Sequence, residues 1–422
     1  MITNIKVENF RCYKNLDIAL KDGRGRLRNE WILFGVNFSG KSSFMEIFAF
    51  LKRSAEALLI ESLRDERPNF DMESYDMTKE IQLHKRAGSQ CPMSLEYELL
   101  VDKYELRYRM IFDDEGLVEE SLCRKVSNNY SAIFEFKDNV LTWDNRILDS
   151  YYINIVNKMF EKYQYNHTVL SILVLGRDER SNSKLLIHPS LRAFSHFGEN
   201  MFVNVGSYSS LKVESYLRNC NRGAFTGVVV PEYIELLKKA APLINSIIKK
   251  IFPVVNRVEY KISDEDNGYK KYEVQIYFNN HKGSSLIVQD NVPEIFEELF
   301  GILHNIIGLD SNLYFVMDNF VESVSGFSLV EIFEKVMPLT ETKGIFAMTG
   351  VEAMNIVDRS SIILAWVDEG VFKANTLNNI TTLQANHNVQ NRFERGLIVP
   401  MIRSNDNNLL ETLCEYKKIQ RK

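Results

Sequence analysis

The amino-acid sequence predicts an α/β fold, and three patterns support that prediction. A hydrophobic stretch at residues 31–34 leads into a glycine-containing loop, and apolar side chains at helical spacing follow. Strand-like alternation occurs at residues 95–112 and returns at residues 258–278. Residues 148–251, which lie between these regions, carry longer and more helical patterns. Strands and helices are therefore both expected along the chain.

The first element is an alternating strand at the N-terminus. Residues 2–8 alternate between apolar and polar side chains, and the motif Asn9-Phe10-Arg11 follows them directly. Alternation by itself indicates only a half-buried strand.

The hydrophobic residues 31–34 lead into the spacing Gly-x-x-x-x-Gly-Lys-Ser, from Gly35 to Ser42. The glycines let the backbone curl so that successive N–H groups face the α- and β-phosphates of a nucleotide. Lys41 can reach the β- and γ-phosphates, and Ser42 can ligate Mg²⁺. The helical spacing after the loop places it at a helix N-terminus, whose dipole favours anions (Phe44, Ile47, Phe48 and Leu51). A purine triphosphate is therefore the first ligand to consider.

A glycine-containing turn that binds nothing is the alternative interpretation of this loop. The strand before it and the helix after it favour phosphate binding. One residue departs from the usual pattern, because Phe38 stands where related loops carry Gly or Ala. A bulky ring beside the phosphates would weaken binding or shift the loop.

The motif Asn9-Phe10-Arg11, followed by a loop that contains Asn37 and Ser39, resembles the SMC/RecF-like branch of ABC-type ATPases. The resemblance implies a two-lobed P-loop ATPase head with a mixed sheet, an antiparallel side sheet and ATP and Mg²⁺ as cofactors. The residues that it assigns to the nucleotide are Gly35, Asn37, Ser39, Gly40, Lys41, Ser42 and Ser43.

Three domains are expected on this basis. Residues 1–147 are the first ATPase lobe, with the phosphate loop and antiparallel strands. Residues 148–255 are an inserted, mostly helical subdomain, and residues 256–422 are the second ATPase lobe with an aspartate-bearing strand and a C-terminal hairpin. No extended heptad array is present, so the long coiled-coil arm of true SMC proteins is absent.

The second lobe of such a head carries an acidic partner of the phosphate loop. Residues 313–317 form a buried-strand run that ends in Asp318, where a carboxylate can hold the Mg²⁺ hydration shell opposite Ser42. Family members place a water-polarising Glu next. Here Asn319 follows, and an amide can orient water but cannot take its proton.

A competing acidic pair follows the apolar residues 362–367. Asp368 and Glu369 fit the same pattern of apolar residues followed by acids. Because Gly370 follows them, we interpret this stretch as a strand and turn of a late hairpin, and we favour Asp318 as the metal-binding acid.

Two further catalytic features of the family are missing. Relatives carry a Ser-x-Gly signature that contacts the γ-phosphate held by the opposing subunit, whereas this chain has Asp290 and Asn291 in the corresponding region. Relatives also carry a switch histidine after a Thr, whereas Gly350 follows Thr349 here. No catalytic residue is therefore assigned, and we expect ATP binding with weak or absent hydrolysis.

Residues 386–400 carry a second resemblance. They are similar to the ending of a prokaryotic group of AAA-type ATP-binding proteins that often accompany nucleases or toxins in anti-phage modules. This resemblance implies a nucleotide-dependent scaffold or sensor in a defence complex. Its expected partner is a second ATPase, a nuclease or a toxin effector in a hetero-oligomer, and a head–head dimer is a further possibility.

Two other functions stay open at this point. In one, the protein is an active ATPase of the same fold that drives a nuclease or toxin partner, and Asp368 with Glu369 or another acid acts in hydrolysis. In the other, it is a structural subunit that binds no nucleotide because Phe38 blocks the loop.

Composition agrees with a cytoplasmic protein. The chain has 422 residues, is 45% hydrophobic and 25% charged, and carries a net charge of -5. We find no signal peptide and no apolar run as long as a membrane span. The five cysteines lack Cys-x-x-Cys spacing, which argues against a disulfide framework and against a zinc site. Nucleic-acid binding has no support beyond the basic cluster at residues 21–28, which we interpret as a solvated turn.

Overall fold

The computed structural model describes most of the first half of the chain and parts of the second. The residues described are 1–22, 24–66, 75–144, 146, 150–163, 167–175, 189–199, 201–206, 208–209, 221–222, 225–265, 268–280, 283–287, 296, 300, 314–318, 343–348, 350–384 and 387–399.

Strands dominate the described residues. They are β1 Ile2–Phe10, β2 Tyr13–Ala19, β3 Glu30–Phe34, β4 Met93–Val101, β5 Tyr104–Phe112, β6 Leu117–Val126, β7 Asn129–Lys137, β8 Val140–Trp143, β9 Met201–Val205, β10 Tyr208–Ser209, β11 Asn221–Arg222, β12 Thr226–Val229, β13 Val255–Asp264, β14 Lys270–Asn280, β15 Gly283–Ile287, β16 Tyr314–Met317, β17 Lys343–Ala347, β18 Ile362–Asp368 and β19 Val371–Thr376.

The helices are α1 Lys41–Glu66, α2 Met77–His84, α3 Ser150–Tyr163, α4 Val169–Leu175, α5 Pro189–Glu199, α6 Pro231–Ile251, α7 Leu377–Ile380 and α8 Val389–Glu394. No helix within the described ranges has the length and apolar character needed to cross a membrane.

The first sheet is antiparallel throughout and has the strand order β2-β1-β4-β5-β6-β7-β8. The predicted hairpin at residues 95–112 is confirmed as β4 and β5, which pair from Met93 with Phe112 to Val101 with Tyr104. Alternate residues of β4 are buried, as the period of two requires. This is the side sheet that the resemblance implied.

The second sheet is mixed and has the order β10-β9-β16-β17-β3-β18-β19. The five inner strands are parallel, and the outer two are antiparallel to their neighbours. Parallel neighbours place their carboxyl ends at one edge of the sheet, where ligands bind in open α/β sheets. The predicted α/β fold with a mixed sheet and an antiparallel side sheet is confirmed.

The two faces of the mixed sheet belong to different cores. Trp31 and Leu33 of β3 face a core that includes α1 and the side sheet. Ile32 and Phe34 face a second core, which includes α6. All four side chains are buried, so β3 is covered on both sides, and its continuous apolar run follows from that burial.

The alternating residues 258–278 form the predicted hairpin, as β13 and β14. These strands lie in a separate sheet with the order β11-β12-β14-β13, and β15 pairs with β14. The helix α6 packs against β13. The sequence pattern predicts the hairpin but contains nothing that separates this sheet from the mixed one.

The expected mostly helical insert, residues 148–255, contains strands as well as helices. It contains α3, α4, α5 and α6, but also β9 and β10 of the mixed sheet and β11 and β12 of the separate sheet. Of these strands, β9 pairs with β16. Four of the five residues of β9 are buried. A short apolar run of this kind cannot be distinguished from a buried helical segment by periodicity, which is why the pattern looked helical.

The carboxyl group of Glu120 connects the side sheet to α4. It accepts hydrogen bonds from the backbone N–H groups of Val169 (2.7 Å) and Leu170 (3.0 Å) and from the hydroxyl of Tyr108 (2.8 Å). These bonds cap the first turn of α4, which packs against α1. Burial raises the pKa of Glu120 to about 7.

We expect the contribution of Glu120 to folding stability to fall as the pH rises from about 4.5 to about 7. The folded state keeps a proton on Glu120 over this interval, whereas the unfolded chain releases it near the ordinary glutamate pKa. The contribution lost is about 3 kcal/mol. Denaturant titration across this interval measures it, and Glu120→Gln should remove this part of the pH dependence. Glu135→Gln, at an exposed position of β7, is the control and should retain the wild-type pH dependence of stability.

Candidate functional site

The loop from Gly35 to Ser42 joins the carboxyl end of β3 to α1, as the sequence predicted. Within it, the Ser39 N–H donates to the Val36 carbonyl at 3.1 Å. The Gly40 carbonyl accepts the first helical bond, from the Phe44 N–H at 2.9 Å. The first N–H groups of α1 have no intrahelical acceptor, so the loop lies where a helix binds anions.

Both glycines of the loop are required by their surroundings. A Cβ on Gly35 would lie 2.4 Å from the Ser39 Oγ and 2.5 Å from the Ala365 carbonyl oxygen. Gly40 has φ +94, a conformation that side chains rarely adopt. The loop can therefore keep this curled path only with glycine at these positions.

The ammonium group of Lys41 lies over the concave side of the loop. It donates to the carbonyls of Gly35 at 2.5 Å and Val36 at 3.3 Å. Its side chain is only 8% exposed, which holds the positive charge within the loop. Among the other predicted residues, Asn37 and Ser42 are exposed, and Ser43 is half-buried.

Ser39 is a buried polar residue in the middle of the loop. It is 1% exposed, and its Oγ has no hydrogen-bond partner among the residues that the structure describes. Together with the Lys41 ammonium and the helix N-terminus, this donor set suits a phosphate group. The residues present therefore fit the triphosphate that the sequence predicts.

Phe38 does not fill the loop. It has φ +63, and its side chain is 90% exposed. The ring therefore makes little contact with the neighbouring loop residues, contrary to the packing that a blocked loop would require. Holding a bulky residue in the left-handed region costs roughly 1–2 kcal/mol.

Asp318 lies at the same edge of the mixed sheet as the phosphate loop. It follows β16 directly, and its N–H donates to the Asn204 carbonyl at 2.9 Å. Through the intervening strand β17, Met317 is level with Ile32 of β3. Because β17 lies between them, β16 and β3 are two strand spacings apart, which is about 10 Å. The half-buried Asp318 thus faces the same edge as the start of α1.

Asp368 lies on an arm that extends beyond this edge. The last residue of β18 that pairs with β3 is Leu364, opposite Phe34. Asp368 follows it by four residues, about 13 Å of extended chain. Its carboxylate pairs with the Lys373 ammonium at 2.7 Å. The predicted hairpin is confirmed: β18 and β19 pair across a turn in which Glu369 and Gly370 both have positive φ.

Several residues that the sequence singled out are not placed by the structure. Asn319, Asp290, Asn291 and Thr349 lie outside the described residues, as do the first and last residues of the C-terminal resemblance, Asn386 and Pro400. Gly350 is described and exposed. The assignments made for the catalytic Glu and the trans signature therefore remain predictions.

The basic cluster at residues 21–28 is a turn organised around a carboxylate. Asp22 accepts from the N–H groups of Arg24 and Arg26, each at 2.9 Å. It also pairs with the guanidinium groups of Arg26 at 2.9 Å and Arg28 at 3.3 Å. Two of the basic side chains are thus used within the turn, which supports its interpretation as structural.

The described residues contain no group of three or more His, Cys, Asp or Glu side chains that could hold a metal ion. Cys12, Cys91 and Cys123 are free thiols.

Three residues around Gly40 were not recognised as part of the site from sequence. A Cβ placed on Gly40 would lie 3.0 Å from the Tyr13 hydroxyl, 3.1 Å from the Cys12 Sγ and 3.1 Å from the Phe372 ring. We call these three residues the Gly40 cage. Cys12 lies in the turn before β2, Tyr13 begins β2 and Phe372 lies in β19, so neither spacing nor alternation connects them with the loop. The tyrosine in Asn-Phe-Arg-Cys-Tyr was the only sequence signal, and it was not specific.

Comparison with known proteins bears on the first part of the chain. Residues 1–171 match the AAA ATPase domain family. None of the curated proteins compared with the chain matches it.

Similar solved structures are SMC heads. One is an Smc head bound to the C-winged-helix domain of ScpA (10% identity, 91% of this chain and 98% of that chain covered, TM-score 0.43). Another is an Smc head with an extended coiled coil, bound to the C-terminal domain of ScpA, from Pyrococcus furiosus (12% identity, 88% of this chain and 95% of that chain covered, TM-score 0.42). A third is the SMC head domain from Thermotoga maritima (10% identity, 88% of this chain and 97% of that chain covered, TM-score 0.38). At these identities and TM-scores they say nothing about the activity or partners of this chain.

The family match covers β1, the phosphate loop, α1 and the side sheet, and the loop sits at the carboxyl edge of a parallel sheet. Residues 1–171 therefore match an AAA ATPase domain, and the described residues form an α/β fold in which a glycine-bounded loop joins β3 to α1.

Proposed function

We propose that this protein binds MgATP in the loop from Gly35 to Ser43 and uses the bound nucleotide to stabilise one conformation of the head, with little hydrolysis. The observation that carries the proposal is the position of Lys41. Its ammonium is held at the centre of a glycine-bounded loop at a helix N-terminus. That arrangement concentrates positive potential where the phosphates of a nucleotide would lie.

Each residue has a role in this proposal. Lys41 exchanges the loop carbonyls for phosphate oxygens, and the buried Ser39 hydroxyl supplies a further polar group. Ser42 and Asp318 hold Mg²⁺ and its water shell. Bound ATP supplies the triphosphate charge that these groups neutralise. The missing acid at Asn319 leaves no side chain at that position to take a proton from water.

Titration calorimetry of the purified protein with MgATP tests the proposal. We expect saturable binding that is weakened by removal of Mg²⁺. Adenosine is the control ligand, since it lacks the phosphates and should not bind measurably. If the wild-type protein gave no heat of binding with MgATP, the proposal would be wrong, and the protein would be the structural subunit that binds no nucleotide.

We also propose that the functional assembly contains a different protein, namely a second ATPase, a nuclease or a toxin effector of an anti-phage defence module. The support is fold-level analogy together with the absence of Ser-x-Gly near Asp290 and Asn291. A chain without that signature supplies only half of a composite nucleotide site, so two copies would form two poor sites. The division into two lobes and an insert, at residues 147 and 255, is likewise proposed.

Nucleotide should strengthen this assembly, because a ligand that prefers the assembled state shifts the equilibrium toward it. Native mass spectrometry of the protein co-expressed with its genetic neighbours, with and without ATP, measures this effect. The Lys41→Ala variant is the control and should lose the ATP dependence. A stable ATP-dependent homodimer that performs the full biological activity alone would contradict the proposal.

A further inference from the structure

The hydroxyl group of Tyr13 makes a contact that phosphate binding by the loop does not explain. It donates to the Gly40 carbonyl at 3.1 Å. Tyr13 is fully buried, and the remaining members of the Gly40 cage, Cys12 and Phe372, lie against the same glycine. Its ring therefore has no face available to a ligand, and any effect on a nucleotide passes through Gly40.

Gly40 occupies the hinge between the loop and α1. Its carbonyl accepts two hydrogen bonds, one from Tyr13 and one from the Phe44 N–H. With φ +94 and no side chain, Gly40 has more backbone freedom than any other residue type would have. A second hydrogen bond on its carbonyl restricts that freedom.

The planarity of the peptide connects this carbonyl to the ligand side of the loop. The Gly40 carbonyl and the Lys41 N–H belong to one trans peptide unit and point in opposite directions. Because the carbonyl points into α1, where Phe44 donates to it, the Lys41 N–H points away from the helix. That direction is toward the loop opening, where a helix N-terminus binds anions.

We propose that Tyr13 is a positioning residue for the phosphate loop, which holds the Gly40–Lys41 peptide so that the Lys41 N–H faces the bound phosphates. This inference rests on the proposed nucleotide binding. Burial raises the pKa of Tyr13 well above its ordinary value, so the hydroxyl remains a neutral donor at physiological pH.

The chain offers a matched control for this contact. Tyr97 is also fully buried, and its hydroxyl donates to another carbonyl of α1, that of Ile47, at 2.7 Å. Ile47 lies two turns into the helix, away from the loop. Tyr13→Phe and Tyr97→Phe thus each remove one buried hydroxyl that bonds to α1, and only the first touches the loop.

The test measures binding of MgATP and of inorganic pyrophosphate to wild type, Tyr13→Phe and Tyr97→Phe. We expect Tyr13→Phe to weaken both ligands about 5- to 10-fold, the loss of roughly one hydrogen bond. We expect Tyr97→Phe to leave both affinities unchanged, although both variants should melt at lower temperature. Pyrophosphate is included because the Gly40–Lys41 peptide, if it faces the phosphates, should affect the binding of pyrophosphate as much as the binding of ATP.

The outcomes separate this inference from the function on which it rests. If wild type binds and Tyr13→Phe binds equally well, Tyr13 has only a structural role. If both variants weaken binding equally, the effect comes from lost stability of α1, and the inference is wrong. If Tyr13→Phe weakened the binding of MgATP but left the binding of pyrophosphate unchanged, the inference would also be wrong, because Tyr13 would then act on the base. Absence of binding by wild type would overturn the proposed function and this inference with it.

Amide hydrogen exchange gives a second measurement without nucleotide. We expect faster exchange in the segment from Gly35 to Phe44 in Tyr13→Phe, at the hinge that the hydroxyl restrains. The same segment in Tyr97→Phe should exchange as in wild type. Equal exchange in all three proteins would show that the loop is not restrained by Tyr13.

Discussion

Replacing Lys41 with alanine is expected to reduce MgATP binding below detection in ordinary calorimetry. The ammonium is the one charged group of the loop, and a charge-assisted contact of this kind contributes about 1.5–3 kcal/mol. That range corresponds to a roughly 10- to 150-fold loss of affinity. The alanine also loses the bonds to the Gly35 and Val36 carbonyls, so the loop is less well ordered before binding.

The control for Lys41→Ala is Lys79→Ala. Lys79 is an exposed residue of α2 that pairs only loosely with Asp76, at 4.0 Å. The Lys79→Ala substitution removes the same charge from the protein and should leave the affinity for MgATP unchanged. If Lys41→Ala bound MgATP as tightly as wild type, the nucleotide would have to bind elsewhere, and the assignment of the loop would be wrong.

ATP hydrolysis by the purified protein is expected to be far slower than about one turnover per second, the lower end for typical enzymes. The family resemblance predicts that Asn319 stands at the position of the water-activating Glu and Gly350 at that of the switch histidine. Loss of a general base alone slows a reaction by about 10²- to 10⁴-fold. A coupled assay of phosphate release at saturating MgATP measures the rate.

Three variants make the hydrolysis prediction specific. If Asn319 stands at the position of the general base, as the resemblance predicts, Asn319→Glu should raise the rate at least about 10-fold. Asp318→Ala should weaken Mg²⁺-dependent binding, and Asp368→Ala should change neither binding nor turnover, since its carboxylate pairs with Lys373. Rapid wild-type turnover that is eliminated by Asp368→Ala but not by Asp318→Ala would identify an active ATPase that uses the late hairpin.

The phosphate loop and the hairpins follow from the sequence by itself. The path of the loop depends largely on residues close together in the chain, because a Cβ on Gly35 would lie against the Ser39 Oγ and because Gly40 takes a positive φ. Hairpins such as β4 with β5 are similarly local, since a period of two and a short turn determine both the burial and the partner.

Only the tertiary structure decided where β9 lies and which acid shares an edge with the loop. Asp318 and Asp368 both end apolar runs, and the sequence favours Asp318 only through the Gly370 that follows Asp368 and Glu369. Sheet order places the first at the edge and the second on an extended arm. Strand order depends on which surfaces pack, and spacing along the chain does not encode it.

The contacts of Tyr13 with Gly40 and of Glu120 with Val169 show the same division. They join residues 27 and 49 positions apart, so no local pattern predicts them. The sequence alone determined that a glycine-bounded loop lies between a strand and a helix, because the residues that shape it are close together in the chain. Tertiary packing decided which buried hydroxyl bonds to that loop and which carboxyl caps α4, because those contacts form only when distant elements meet.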